Sequence, residues 1–279
     1  MIPKIIHYCW FGHGEIPEKD KRCIESWKVH CPNYKIVRWD ESNYDVSKNK
    51  YMQEAYEAKK WGFVPDYARL DIIYEYGGIY LDTDVELIRN IDVLLDNSVF
   101  MGFESDSAVS PGLGFGAEKN NPLIGELLHT IYDRLRFIRE DGSYDTKPSP
   151  SRNTEFLMKK GLQLDGMFQK LSCGLTIYPK EYFCPLEYET GIINITEYTY
   201  SIHHFHASWC TKEELKAHEL AQKIARKFGK RTARVVTQIY ILPYALKNKL
   251  SNNGLVGTMK FIIMRIKNNF ANGKKHMGE

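Results

Sequence analysis

The sequence predicts an α/β fold with a mostly parallel sheet, followed by a basic helical extension. Three observations carry this. Over residues 1–210, short apolar runs alternate with amphipathic stretches of helical period. Hydrophobic residues make up 43% and charged residues 26%, which is ordinary globular usage and excludes disorder, collagen or coiled coil as descriptions of the whole. Charge is also unevenly placed. Residues 1–210 hold 23 Lys+Arg against 31 Asp+Glu, whereas residues 211–279 hold 15 against 4. With 279 residues the chain can bury a sizeable core without disulfide or metal staples. Its six cysteines form no CxxC pair and are expected to be reduced.

The elements follow in order. Ile2 to Tyr8 reads as a buried strand, and Trp10-Phe11-Gly12 as the loop after it. Cys23, Ile24 and Trp27 fall at helical spacing within about 17–30. Tyr34 to Trp39 is a second strand, and about 47–60 a polar helix. Asp66 to Tyr76 is a helix that stops at Gly77-Gly78. Ile79-Tyr80-Leu81 is a strand delivering Asp82 and Asp84, and Val99–Phe103 another. Gly112 to Gly116 is a glycine-rich turn region, 121–138 an amphipathic helix, and 141–153 a polar loop with Pro148 and Pro150. Further strands are expected near 175–178 and 200–205. Past residue 211 come three helical stretches, about 211–228, 231–250 and 255–269. The expected division is a domain over 1–210 and an extension over 211–279.

Asp82 and Asp84 are the sharpest chemical signal. Acids at i and i+2 point the same way if the backbone is extended. At a strand end they can share one hard divalent cation and leave positions open for phosphate oxygens, which suits Mg²⁺ or Mn²⁺. Ligands of open α/β sheets bind at such strand ends. A bare pair of this kind is common by chance, and its plain alternative is a solvated strand end. Context strengthens the metal reading. Asp66 and Arg69, at i and i+3, share one face of the preceding helix. A cation, an acid and the carboxylate pair could then converge on a diphosphate.

The segment Asp66-Tyr67-Ala68-Arg69, then Tyr76-Gly77-Gly78-Ile79-Tyr80-Leu81-Asp82-Thr83-Asp84, resembles the DxD-containing sugar-binding region of glycosyltransferase family 32. That family includes bacterial capsular-polysaccharide transferases and Golgi mannosyltransferases. More distantly, the pattern is similar to the catalytic domains of large clostridial glucosylating toxins. Ile2 to His7 with Trp10-Phe11-Gly12, Ser26-Trp27, Tyr34 to Asp40, and His203-His204-Phe205 with Ser208-Trp209 resemble further parts of the family pattern.

The resemblance implies a GT-A fold over about 1–210, a nucleotide-sugar donor (a UDP-sugar by preference), Mn²⁺ or Mg²⁺, and retention of anomeric configuration. Asp84 would ligate the metal directly and Asp82 through water. Asp66 would bind donor-sugar hydroxyls, and Arg69 the diphosphate or sugar. Trp10 would stack on the base, with His7 and Tyr8 lining that end and Tyr80 beside the acids. A late histidine would complete the metal shell. His204 is favoured over His203 and His206, because it directly precedes an aromatic residue. Ser208 and Trp209 would close on the phosphate side. Glu104 and Asp106 read as solvated loop acids.

Leu215, Leu220, Ile224, Phe228, Val235 and Ile239 lie among many Lys and Arg in the extension. A basic amphipathic stretch of this kind suits an anionic membrane surface, and no nucleic-acid motif accompanies it. With no signal-peptide pattern at the N-terminus, the expectation is a cytoplasmic enzyme, peripheral at the inner face of the cell membrane. It would build a lipid-linked or growing glycan for capsular or exopolysaccharide biosynthesis. The alternative is a catalytically inactive sugar- or membrane-binding protein on the same fold. A haloacid-dehalogenase-type phosphatase also places DxD after a strand. It requires Thr or Val two residues after the second Asp, where this chain has Glu86.

Overall fold

The computed structural model describes residues 1–206, 212–237 and 240. They form two compact units, one of residues 1–187 and 192–209, the other of 188–191 and 210–279. In the first unit, β1 (Ile5–Cys9) is followed by α1 (Glu18–His30), β2 (Lys35–Trp39), α2 (Lys50–Glu57) and α3 (Pro65–Tyr76). Next come β3 (Gly78–Tyr80), β4 (Val85–Leu87), β5 (Val99–Ser105), β6 (Ala108–Val109) and β7 (Phe115–Ala117). Then follow α4 (Pro122–Tyr132), α5 (Ser149–Met158), β8 (Gln169–Lys170), β9 (Leu175–Tyr178) and α6 (Lys180–Phe183). The short strands β10 (Leu186–Glu187), β11 (Ile192–Ile193) and β12 (Ser201–His203) complete it.

The main sheet runs β2-β1-β3-β7-β5-β9-β8, with β6 paired to β5. It is mixed α/β rather than mostly parallel. β1 is parallel to β2 and β3, and β5 to β9, but β7 lies antiparallel between β3 and β5. One face packs on α2, α3, α4 and α5 through Tyr51, Leu70, Ile73, Phe103, Ile124 and Leu157. The other packs on α1 and α6 through Ile6, Trp27, Phe100 and Phe183. The stretch 141–153, expected as loop, gives its last residues to α5, which Pro150 enters in the first turn where its missing N–H costs nothing.

Two features aim the chain at the acids. α3 has Pro65 at its start and ends at Gly77, whose N–H donates to Ile73 O at 2.9 Å. Gly78 has φ +103°, and a Cβ there would sit 2.8 Å from Ile5 O and 3.0 Å from His7 Nε2. Only glycine lets the chain turn so tightly from helix into β3 beside β1. α1 then anchors β4, which follows the acids. Trp27 Nε1–H donates to Val85 O at 2.7 Å, and Leu87 N–H donates to Ser26 Oγ at 2.9 Å.

His7 is 1% exposed, and both ring nitrogens are engaged. Trp39 Nε1–H donates to its Nδ1 at 3.0 Å, which leaves Nε2–H to donate to Gly77 O at 3.0 Å. This corrects its expected place in the nucleotide end: His7 ties β1 to β2 and to the end of α3. Burial, opposed by the Gly77 bond, lowers its pKa from 6.5 to about 4. The folded state therefore prefers the neutral ring. The associated stability is fully present above pH 6.5 and is lost as pH falls through 6.5 toward 4, about 3 kcal/mol in all. In thermal melts, His7→Gln should be less stable than the parent at pH 7.5, and the gap should shrink steadily toward pH 4. A gap independent of pH would remove His7 from acid sensitivity.

In the second unit, α7 (Lys212–Phe228) packs on residues 188–191. Gln222 Nε2–H donates to Tyr188 O at 3.1 Å, Arg226 Nε–H to Thr190 O at 2.6 Å, and Tyr188 stacks on His218 at 4.1 Å. Residues 230–237 are helical, and Arg234 pairs with Glu189 at 2.7 Å. The expected helix over 255–269, and 231–250 beyond its start, lie outside the described residues. No helix among the described residues is long and apolar enough to cross a membrane.

Candidate active site

Asp82 and Asp84 stand in a turn, not in an extended strand. β3 ends at Tyr80, Leu81 N–H donates to His7 O at 3.0 Å, and Val85 N–H donates back to Asp82 O at 3.0 Å. The turn, not strand alternation, brings the two carboxylates together. Asp82 rests against Gly112. Its N–H donates to Gly112 O at 3.2 Å, and a Cβ on Gly112 would fall 2.3 Å from Asp82 Oδ2. The absence of a side chain at 112 is what admits the carboxylate.

The third group is His203, from β12. Register places His203 opposite Val85, so its ring reaches the turn just before β4. His203 Nε2 lies 3.2 Å from Asp84 Oδ1. One ligand atom each from Asp82, Asp84 and His203 lies within 4.8 Å of the others, a cluster that could hold a metal ion. Two carboxylate oxygens and one imidazole nitrogen suit a divalent cation of Mn²⁺ type. His204, the favoured sequence candidate, turns the other way, with Nε2 2.8 Å from Glu86 Oε2. β12 ends at His203, and its pairing with β4 decides which ring faces the acids.

Burial alone would lower the His203 pKa, but the Asp84 carboxylate facing it drives it well above the usual range. Burial likewise works against charge on Asp84, yet His203 and the His206 N–H hold its carboxyl well below the usual range. Asp82 moves the opposite way. Burial raises it more than the Arg69 charge lowers it. Two neighbouring acids of opposite character thus share one turn.

α3 supplies the expected pair. Arg69 Nη2 lies 3.1 Å from Asp66 Oδ1 and 3.7 Å from Asp82 Oδ1. Its Nε–H donates to Pro65 O at 3.1 Å, and its guanidinium carbon lies 5.3 Å from the Tyr80 ring centroid. Tyr80 is 1% exposed and donates its hydroxyl to Asp82 Oδ1 at 2.9 Å. It therefore positions an acid rather than lining an open nucleotide site. Asp66 is buried, with Ser149 of α5 hydrogen-bonded to it. Burial raises its carboxyl to about 6, against the opposing pull of Arg69.

At the other end, Tyr8 is buried edge-on against Trp27 at 5.6 Å, so it too lies inside the fold. Trp10 is half-buried and donates Nε1–H to Gly14 O at 2.7 Å, leaving it the accessible ring of the three expected there. Trp61, which the sequence did not single out, lies over Gly12, within 2.8 Å of where a Cβ would stand. Ser208 and Trp209 lie outside the described residues. Asp20, Gly112 and Ser149 join the site without having been read as site residues. Gly112 alone gave a signal, as part of a glycine-rich turn.

β3 thus runs into an acid pair, and the helix before it carries the Asp66–Arg69 pair. Residues 17–101 match a family described as a glycosyltransferase sugar-binding region containing a DXD motif. Inositol phosphoceramide mannosyltransferase 3 of Schizosaccharomyces pombe is 34% identical over 142 residues, covering 47% of this chain and 37% of that protein. Mannosyl phosphorylinositol ceramide synthase SUR1 of Saccharomyces cerevisiae is 32% identical over 144 residues, covering 50% and 37%. The chain thus spans little more than a third of the length of these relatives. Among solved structures, PaToxG glycosyltransferase superposes with a TM-score of 0.38 at 20% identity, covering 46% of this chain and 59% of that one.

Proposed function

We propose that this chain is a metal-dependent glycosyltransferase of the GT-A type. It would move a sugar from a nucleotide sugar to a hydroxyl of a lipid-linked acceptor, with retention. The observation that carries the reading is the Asp82–Asp84–His203 cluster beside the Asp66–Arg69 pair, within or paired to the matched region. Asp84 and His203 would hold the cation, and Asp82 would complete the shell directly or through water. The bound cation would neutralise charge growing on the leaving diphosphate. Arg69 presents a guanidinium toward Asp82, fit to meet a diphosphate oxygen. Asp66, buried beside it, would accept hydrogen bonds from sugar hydroxyls. Half-exposed Trp10 would stack on the base.

The names of the two relatives favour mannose as the sugar and an inositol-phospholipid as acceptor, over the capsular glycan suggested by the resemblance alone. An exposed basic surface on the second unit supports contact with an anionic membrane. Lys216, Lys223, Arg226, Lys227 and Arg231 are exposed there, together with Phe228, Val235 and Val236. The reading places the protein at the cytoplasmic face of a membrane.

The test is nucleotide release by the full chain with Mn²⁺. GDP-mannose, UDP-glucose, UDP-galactose and UDP-N-acetylglucosamine would be compared, each with vesicles containing phosphatidylinositol and without. Release from one donor, abolished by EDTA, is expected. Silence with every donor, together with no Mn²⁺-dependent nucleotide binding, would replace this reading by the inactive binding protein. Failure to sediment with phosphatidylserine vesicles would withdraw the membrane contact alone.

A further inference from the structure

The buried stripe of α1 consists of Asp20, Cys23, Ile24 and Trp27, one residue of which is an acid. Asp20 is 1% exposed, in a position where the helical period calls for an apolar side chain. A buried carboxylate is costly unless it is hydrogen-bonded. Its partner is His206, whose Nδ1–H donates to Asp20 Oδ1. Lys19, the neighbouring residue, donates from Nζ to His206 O at 3.3 Å. Two consecutive residues of α1 therefore grip one residue of the segment that follows β12.

The end of β12 and that segment together surround Asp84. His203 meets Oδ1 at 3.2 Å, His204 N–H donates to Asp84 O at 3.0 Å, and His206 N–H donates to Asp84 Oδ2 at 2.8 Å. Between them Phe205 adopts φ +51°, a left-handed conformation that costs a phenylalanine about 1 kcal/mol or more. A strained backbone persists where its surroundings over-determine it, and the Asp20–His206 bond is placed to do so. The far end of the same α1 stripe holds the other side of the site, through Trp27 and Val85 O. The helix thus braces the acid turn from both flanks.

We propose that Asp20 is a positioning residue for the metal site. It anchors His206 so that the His206 amide fixes one oxygen of Asp84 and leaves the other, with His203, to the cation. This rests on the metal-dependent reading above. Residues one step removed from a ligand commonly alter metal affinity 10- to 100-fold.

The test is Mn²⁺ affinity of the full chain without donor, read from loss of the free-ion electron paramagnetic resonance signal, beside a thermal melt. Asp20→Ala and His206→Ala should each weaken binding by about 10-fold or more. The double variant should be no weaker than the worse single, because both break one link. Asp20→Asn, which can still accept the Nδ1–H bond, should recover most of the affinity. A lower melting temperature with unchanged Mn²⁺ affinity would make Asp20 a support of α1 only and overturn the proposal. Should Asp20→Ala fail to fold, His206→Ala decides the matter, and unchanged affinity there overturns it equally. Loss of binding in Asp84→Asn with none in the Asp20 and His206 variants sinks this proposal and leaves the metal reading standing. No Mn²⁺ binding by the unaltered chain sinks both.

Discussion

Asp84→Asn should lower donor turnover by about 10³-fold or more while leaving the fold intact. The substitution keeps shape and the hydrogen bond from the His206 amide, and gives up the acceptor that faces His203. An amide oxygen can still accept the His206 N–H that Asp84 Oδ2 accepts at 2.8 Å. It also removes the negative charge. Asp84 is the acid whose carboxyl the site holds well below the ordinary range, so it is charged whenever a cation arrives. Asp82 is raised by burial and is the poorer anion of the two. On the proposed reading Asp84 is the better ligand of three, so its loss should abolish Mn²⁺ binding at micromolar metal, and EDTA should then have no further effect. A melting temperature within a few degrees of the parent would show that the loss is chemical. A variant that kept a tenth of the turnover, or stayed sensitive to EDTA, would remove Asp84 from the reaction.

The region from Asp66 to Asp84 was readable because its parts are local. Pro65, Asp66 and Gly77 mark the bounds of a helix, and Ile79-Tyr80-Leu81 reads as a strand, all within one short stretch. The spacing of the acids was expected to set them side by side, and they are, but for a different geometric reason. A turn closed by Val85 N–H and Asp82 O does what an extended strand was expected to do. Choosing among three histidines could not succeed locally. His203 faces the acids because β12 pairs with β4, at a sequence separation of more than a hundred residues. Left-handed Phe205 then breaks the alternation on which a strand-based argument depends. His7 and Tyr8 were misplaced for a related reason. The resemblance alone put them at the nucleotide end, yet Trp39 and Gly77 satisfy the His7 ring inside the core, and Tyr8 packs on Trp27. β7 is three residues long, preceded by Gly114 and with Gly116 at its centre, too short for any period to show, so its antiparallel placement was invisible.

Arg69→Met should be the most destabilising single change in the site, and its cost should depend on pH. Arg69 is 6% exposed and lies between two acids, 3.1 Å from Asp66 and 3.7 Å from Asp82. Removing one partner from a buried ion pair commonly costs 3–5 kcal/mol, because the remaining charge is left without compensation. Methionine fills much of the volume, so cavity formation adds little. Asp66 sets the sign of the pH effect. Its folded pKa is raised from 3.8 to about 6, burial being the larger cause and Arg69 opposing it. A raised acid contributes stability that is present below its unfolded pKa and lost as pH rises through the folded value. Without Arg69 the folded value climbs further, and the loss extends to higher pH. In EDTA, the gap in melting temperature between parent and Arg69→Met should be about 10 °C at pH 8, and clearly smaller at pH 5, where Asp66 can take up a proton. Arg69→Lys keeps a charge but lacks the fork that reaches Asp66, Asp82 and Pro65 O together, and should recover part of the stability. A gap of equal size at both pH values would mean that packing, not charge, is what Arg69 supplies between α3 and the acid turn.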